Sequence, residues 1–413
     1  MNGNEHREIG DIASGGALVN LGGEDGEERF WLSYGDVMAL SGDYFVPDVA
    51  GGASRADGAS LVDDTLFGLA RIPGRRGTRP GTRDETVCAL RVMTVDEVFV
   101  DPRFEHGGRF AGLRFGERSA AAGVERRVRD RYLELAATND DHFVAPGGIT
   151  HAHRPGSLRP FGSAVLAYRH FHHAALEEAR RLGRRRGDLS RAMAREAAAQ
   201  HFLTDAFTAG HLRTPVAQIR RFWRARYPAF WDRLQRRVAA QTAATLRELS
   251  WAPRRLPAPF VHDATLAAVM RRTSRYPELS AGDFLARLFH DWDNVHGLAI
   301  EAGGVVFGDG HVDRGVTRAL AVAAARAGID DVEAAFELGR SGRDLTGRAL
   351  YEAVRAATGA PPGTFLPETR IPRPAAANPP QNWRADGIEA LWDRPIVGTG
   401  GTTVGGALGE MLD

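Results

Sequence analysis

Residues 201–215 read HFLTDAFTAGHLRTP and place His201, Asp205 and His211 in a stretch that is otherwise apolar enough for a protein core. In an α-helix, positions i and i+4 lie about 40° apart around the axis, so His201 and Asp205 can point at one metal ion. His211 falls off that face unless the helix bends or ends first, and Gly210 supplies such an ending. Imidazole and carboxylate suit zinc. A core histidine paired with a nearby aspartate is the alternative interpretation.

The composition of the 413-residue chain is that of a globular protein, with 43% hydrophobic and 25% charged residues. It contains no lysine, so its 53 basic residues are all arginine, and we attribute this bias to a GC-rich bacterial genome. A formal net charge of +1 argues against nucleic-acid binding through bulk charge. The single cysteine, Cys88, excludes an internal disulfide framework.

No secretory signal is visible at the N-terminus, and no apolar run approaches the roughly 20 residues of a membrane span. We therefore expect a cytoplasmic, soluble protein by default, with export by a non-classical route left open. The sequence does not indicate an oligomeric state.

Helical patterns dominate and strands are few, so we predict a mainly α fold. Patterns of helical period cover residues 119–140, 164–183, 189–210, 215–250, 280–298, 314–327 and 330–357. We predict a helical metal-binding domain over residues 1–310, with a loop-rich insertion at about 50–118 and a helical insertion at about 215–280. A C-terminal helical and Pro-rich extension, partly irregular, follows at 311–413.

Four more polar residues lie in or beside apolar or helical stretches, as His201 and Asp205 do. Asp43 lies among apolar residues in ALSGDYF, where an unpaired carboxylate would be costly. His142 ends a predicted helix in ATNDDHF, and His290 lies on a predicted helix in LFHDWDN. His6 begins a short amphipathic helix in EHREIGDIA. Each alone is an ordinary polar residue, but together with the stretch at 201–215 they favour a metal cluster.

The order Asp43, His142, HFLTDAFTAGH and a later H-x-x-D resembles the zinc-dependent phospholipase C family and its relatives, the fungal single-strand nucleases. Members of that family share the pattern H-x3-D-x5-H. The resemblance covers roughly residues 3–46 and 120–300. It implies a multi-helix fold, a cluster of up to three zinc ions, and a phosphodiester substrate.

For the first zinc ion, the resemblance implies Asp43, His142 and His201 as ligands, with Asp205 completing or bridging the shell. Asp43 or Asp205 could also orient or deprotonate the attacking water. The third ion of the family takes an N-terminal Trp amine and a histidine. His6 matches that histidine, but no Trp begins this chain, so we expect two ions and leave the third site open.

For the second zinc ion, the resemblance implies His211 and His290. The third ligand in the family is an acid at the position of Asn294, so we expect Asp293, one residue earlier, to replace it. The gap of 79 positions between His211 and His290 is longer than in the family and predicts an inserted helical lobe. Arg213 is well placed to hold a phosphate oxygen, or alternatively to cap a helix end.

Three functions follow from these patterns. The first is a zinc-dependent phosphodiester hydrolase, whose substrate could be a phospholipid, a single-stranded nucleic acid or a small phosphodiester. The second is a non-catalytic protein on the same scaffold that binds metal, a lipid headgroup or a partner. The third is a helical interaction protein without metal, in which the His/Asp pairs form buried hydrogen-bond networks.

Overall fold

The computed structural model describes residues 1–20, 31–41, 142–144, 163–226 and 281–384. Within these ranges the chain forms ten helices and four short strands, which confirms the mainly helical prediction. Asp43, the predicted helix at 119–140 and the loop-rich insertion lie outside the described residues. None of the described helices combines the length and hydropathy that crossing a membrane requires.

The described helices and strands, in chain order, range from two-residue strands to a helix of 24 residues. They are α1 (Gly3–Ser14), β1 (Leu18–Asn20), β2 (Trp31–Ser33), α2 (Tyr34–Leu40), α3 (Ala164–Arg185), α4 (Ser190–Asp205), α5 (Ala209–Arg213), α6 (Val216–Arg226), α7 (Ala281–His296), β3 (Leu298–Ala299), β4 (Val305–Val306), α8 (Thr317–Arg340), α9 (Gly347–Thr358) and α10 (Leu366–Thr369).

Helix α1 begins with a reciprocal cap. The side chain of Asn2 accepts a hydrogen bond from the Glu5 amide at 3.0 Å, and the Glu5 carboxylate accepts one from the Asn2 amide at 2.9 Å. Such a capping box satisfies two amides that the helix itself leaves without partners. The helix ends at Gly15, which adopts a left-handed conformation. Both ends of the helix that carries His6 are therefore fixed by local sequence.

Helix α2 follows an antiparallel strand pair. Strand β1 pairs with β2 so that Leu18 lies opposite Ser33. Ser33 then caps α2 together with Asp36, in the same reciprocal arrangement as in α1. Every residue of α2 is buried. The strand pair is therefore followed directly by a helix that is buried along its whole length.

Helix α4 lies at the centre of the first compact unit and is buried from Ala192 to Asp205. Its alanines at 192, 194, 197, 198 and 199 leave little side-chain bulk, so neighbouring helices can approach closely. Helices α2, α3 and α8 pack against it. Polar groups on α4 are thus placed inside the core, where each needs a partner.

The chain divides into two compact units, Met1–Arg213 with Trp292–Asn378, and Thr214–Asp291 with Pro379–Asp413. The first unit contains helices α1 to α5, helices α8 to α10 and both strand pairs. In the second unit, the indole N–H of Trp223 on α6 donates to the carbonyl of Trp383 at 2.9 Å. Phe222 lies edge-on to the Trp383 ring at 5.5 Å.

Helix α8 differs from the sequence prediction of separate helices at 314–327 and 330–357. It is one helix of 24 residues, and the break comes after Arg340. Gly328 lies at the predicted boundary, and glycine has low helix propensity. Its packing against α3 and α4 keeps the helix intact at this position.

Candidate metal centre

Three imidazoles and a carboxylate meet at the end of α4. His142 Nδ1 lies 2.6 Å from Asp205 Oδ2, and His201 Nε2 lies 3.6 Å from the same oxygen. His6 Nε2 approaches the other oxygen, Oδ1, at 3.2 Å. All four side chains are buried. Residues that are far apart in the sequence are therefore brought to one carboxylate.

Helix α4 ends before His211, where the predicted ligand pattern requires a break. His201 and Asp205 occupy positions i and i+4 of α4, as predicted. The helix stops at Asp205 and α5 begins at Ala209, which turns His211 back so that its Nδ1 lies 3.4 Å from Asp205 Oδ1. The expected break is present, but Gly210 does not cause it, since that residue lies inside α5.

Hydrogen bonds fix two of the rings with one nitrogen towards Asp205. His201 Nδ1 lies 2.9 Å from the Met38 carbonyl, which can only accept, so Nδ1 is the protonated nitrogen and Nε2 carries the lone pair. His6 Nδ1 is 2.9 Å from the Thr204 hydroxyl, which itself donates to a backbone carbonyl. Histidines that bind metals show this same orientation.

The charges around Asp205 suit a cation. Burial is the main cause that lowers the pKa of His201, with His6 adding to it, so the imidazole is neutral and can act as a ligand. Burial alone would raise the pKa of Asp205, but the Met1 amine, His211 and His6 together hold it well below its ordinary value. Imidazole nitrogens around an ionised carboxylate form the donor set that zinc prefers, so these residues fit the metal.

The amino group of Met1 shows where this cluster accepts positive charge. Its nitrogen lies 2.7 Å from Asp205 Oδ1, 3.0 Å from Asp309 Oδ1 and 3.1 Å from His211 Nδ1. Burial works against the charge, but Asp205, Asp309 and Glu5 raise the pKa of the amine to about 11. A cationic nitrogen is therefore held by three groups of metal-ligand type.

Asp309 is a candidate ligand outside the set that we predict from the sequence. Ligand atoms of Asp309 and His211 lie within 4.8 Å of each other, as do those of His6, His201 and Asp205. Asp309 belongs to FGDGHVD, a pattern that could bind metal but that is more typical of a polar turn. The GDG sequence was the available signal, but it carries no information on what the turn faces.

Two residues expected at the second ion have other partners. Asp293 receives the guanidinium of Arg213, whose Nε donates to Oδ2 at 2.9 Å while Nη2 donates to Oδ1. In the structure these two groups pair with each other, and the roles of Asp293 as a ligand and of Arg213 as a phosphate-binding group stay predictions. Asn294 Oδ1 accepts a hydrogen bond from the Gly210 amide at 2.7 Å.

The remaining predicted ligands are His290 and Asp43. His290 lies on α7 in the second unit, with Nδ1 at 2.8 Å from Oδ1 of the neighbouring Asp291. Its part in a ligand set stays a prediction, as does that of Asp43 outside the described residues. The resemblance to zinc-dependent phospholipases C also stays an expectation, since searches of family models, curated proteins and solved structures returned no match to this chain.

Proposed function

We propose that this chain is a zinc-dependent phosphodiester hydrolase that resembles phospholipase C. The supporting observation is the convergence of His6, His142 and His201 on the Asp205 carboxylate, at 2.6 to 3.6 Å. An unpaired buried carboxylate would be costly, and a core that needed only packing would not bring three imidazoles to it. This arrangement favours metal binding over a simple hydrogen-bonded pair.

The chain supplies ligands and holds them in place. Bound zinc would lower the pKa of a water molecule and polarise a phosphoryl oxygen. The Met38 carbonyl and the Thr204 hydroxyl hold His201 and His6 with Nε2 towards Asp205. Because Asp205 directs Oδ2 to His142 and Oδ1 to His6, it can serve two neighbouring cation positions.

The general base is assigned by elimination within the predicted pair. Asp205 is fully buried and has imidazoles at both oxygens, so it suits a bridging ligand better than a base that exchanges protons with water. We propose Asp43, the other residue predicted for this role, as the group that orients or deprotonates the water.

The test combines metal analysis with turnover. We expect about two zinc ions per purified chain and hydrolysis of bis(p-nitrophenyl) phosphate. The His201→Ala, Asp205→Ala double variant should lose both properties. His170→Ala, on the half-buried side of α3, is the matched histidine control and should retain them. Full activity in a folded double variant would refute the proposal.

A panel of substrates then identifies the class of phosphodiester. The panel should include phosphatidylcholine vesicles, a single-stranded oligonucleotide and bis(p-nitrophenyl) phosphate. Phospholipid hydrolysis and nucleic-acid hydrolysis require the same metal chemistry, so the ratio of their rates distinguishes the two substrate classes.

A second candidate is a non-catalytic metal-binding protein on the same scaffold. It is favoured by Asn294, which stands where the family has an acid and whose Oδ1 accepts a hydrogen bond from the Gly210 amide. Fold alone does not fix activity. This candidate predicts bound zinc and a metal-dependent melting temperature with no turnover on any member of the panel.

A further inference from the structure

The carboxylate of Asp309 is presented by a strained turn between β4 and α8. Its φ angle is 32°, in the left-handed region that non-glycine residues rarely adopt. Aspartate is among the residues that tolerate this region best, but holding it there still costs free energy. Surrounding contacts must therefore fix the turn, and a cluster of ligand-type groups is where such strain is commonly found.

Those contacts come from both sides of the turn. Glu5 Oε1, on α1, accepts hydrogen bonds from the amides of Gly310 at 2.7 Å and Val312 at 3.3 Å. The Gly308 amide donates to the Asn294 carbonyl at 3.1 Å. A side chain at position 308 would collide with the Asn294 amide oxygen, so only glycine allows this approach.

The fixed turn brings Asp309 to the cluster around Asp205. Asp309 Oδ1 is 3.0 Å from the Met1 amine, which is also 2.7 Å from Asp205 Oδ1 and 3.1 Å from His211 Nδ1. Two carboxylates and one imidazole thus surround one positive charge. The side chain of Asp309 is 25% exposed, but its Oδ1 atom is buried where it meets the Met1 amine.

We propose that Asp309 is a ligand of a second divalent cation position, formed with His211 and Asp205. This inference rests on the proposed function, because it assumes that the cluster binds zinc. It places on a loop of the chain the carboxylate ligand that we expect, from the sequence, at Asp293. Asp293 and Asn294 are then available for the contacts they make with Arg213 and Gly210.

The experiment is zinc binding by Asp309→Asn. Asparagine keeps the shape of aspartate and also tolerates a positive φ, so the turn should persist. Asp313→Asn is the matched control, because Asp313 lies in the same loop, is 61% exposed and pairs with Arg318. Each protein is stripped with EDTA, titrated with zinc chloride by calorimetry, and checked for folding by circular dichroism.

We expect wild type and Asp313→Asn to bind two zinc ions, and Asp309→Asn to lose one or to bind it at least about ten-fold more weakly. Unchanged stoichiometry and affinity in folded Asp309→Asn would overturn the assignment of Asp309 alone. Failure of the wild-type protein to bind zinc would overturn the proposed function, and this inference with it. The two failures are therefore distinguishable.

Discussion

Arg213 and Asp293 lie 80 positions apart and form a two-point ion pair in which both carboxylate oxygens of Asp293 are used. The Asp293 side chain is 2% exposed and that of Arg213 is 20% exposed. The pair connects the residue two positions after His211 to the end of α7. A bidentate guanidinium–carboxylate pair of this kind fixes orientation as well as distance.

The pair predicts that Asp293 stabilises the fold and does not bind metal. Asp293→Asn leaves a largely buried guanidinium without its counter-charge, so we expect a loss of about 2 kcal/mol in the free energy of unfolding. Zinc content should equal that of the wild type. Denaturant unfolding and metal analysis measure the two quantities.

Asp344→Asn is the control for the Arg213 pair. Asp344 is 67% exposed and pairs with Arg180 and Arg184 at the surface, where such pairs contribute less than about 1 kcal/mol. If Asp293→Asn loses one zinc ion and keeps its stability, Asp293 is the ligand that the sequence suggested and the pair has no structural role.

Removal of metal should destabilise the protein. Binding to the folded state alone stabilises it by about 4 kcal/mol when free ligand is at 1,000 times its Kd. We therefore expect EDTA to lower the melting temperature of the wild type by several degrees and to leave that of the His201→Ala, Asp205→Ala variant unchanged. If EDTA does not change the melting temperature of the wild type, the third function is favoured, a helical interaction protein with buried hydrogen-bond networks.

The centre of the candidate site could be predicted because it depends on helix geometry. The spacing of His201 and Asp205 places both on one side of any α-helix. The capping pattern of α1 likewise follows from a few adjacent residues, Asn2 and Glu5 among them. Such features are local, so the sequence contains the information that determines them.

The residues that we propose as ligands of a second ion could not be predicted in this way. Asp293 and Asn294 differ by one position, which rotates the side chain by about 100° around the helix, and only the tertiary partners decide which one faces the cluster. Asp309 depends on a contact between Glu5 and a turn about 300 residues later. Contacts of that separation leave no periodic pattern in the sequence.

A second buried polar network joins three helices away from the candidate site. His172 Nδ1 on α3 lies 2.6 Å from Glu196 Oε2 on α4, and His172 Nε2 lies 3.5 Å from Asp331 Oδ2 on α8. All three side chains are fully buried. Burial alone would lower the pKa of His172, but the Glu196 and Asp331 carboxylates raise it to about 10. The imidazole is therefore a cation at neutral pH.

This network predicts that stability falls at high pH. A pKa raised from 6.5 to about 10 means that the folded state holds the proton more tightly than the unfolded state. The stabilisation is complete below pH 6.5 and is lost as the pH rises through 10. Urea unfolding in EDTA at pH 6, 8 and 10 should show midpoints that decrease in that order.

Two controls separate His172 from other groups. His173, its neighbour, has a pKa lowered to about 3, mainly by burial, so it stays neutral above pH 7 and His173→Gln should leave the fall in stability between pH 8 and pH 10 unchanged. Proton NMR of the wild type should show the His172 ring still protonated at pH 8. A ring that titrates near pH 6.5 would contradict the network, whatever the unfolding data show.

Gly328 allows α8 to approach this network, and its replacement tests how tightly the network is packed. A methyl group at position 328 would lie 2.6 Å from Gln200 Nε2 and closer still to Glu196 Oε1. Gln200 donates both to Glu196 and to the Ala325 carbonyl, so it cannot move without losing hydrogen bonds. Overpacking of this kind costs about 1–3 kcal/mol, whereas alanine adds about 1 kcal/mol of helix propensity.

We therefore expect Gly328→Ala to destabilise the protein by about 1 kcal/mol, measured as the free energy of unfolding in urea. Ala319→Gly is the control, because Ala319 is exposed on the same helix and reports the propensity difference alone. If Gly328→Ala stabilises the protein by as much as Ala319→Gly destabilises it, the added methyl group meets no resistance. Glu196 and Gln200 would then be loosely held, and the raised pKa of His172 would lose its structural cause.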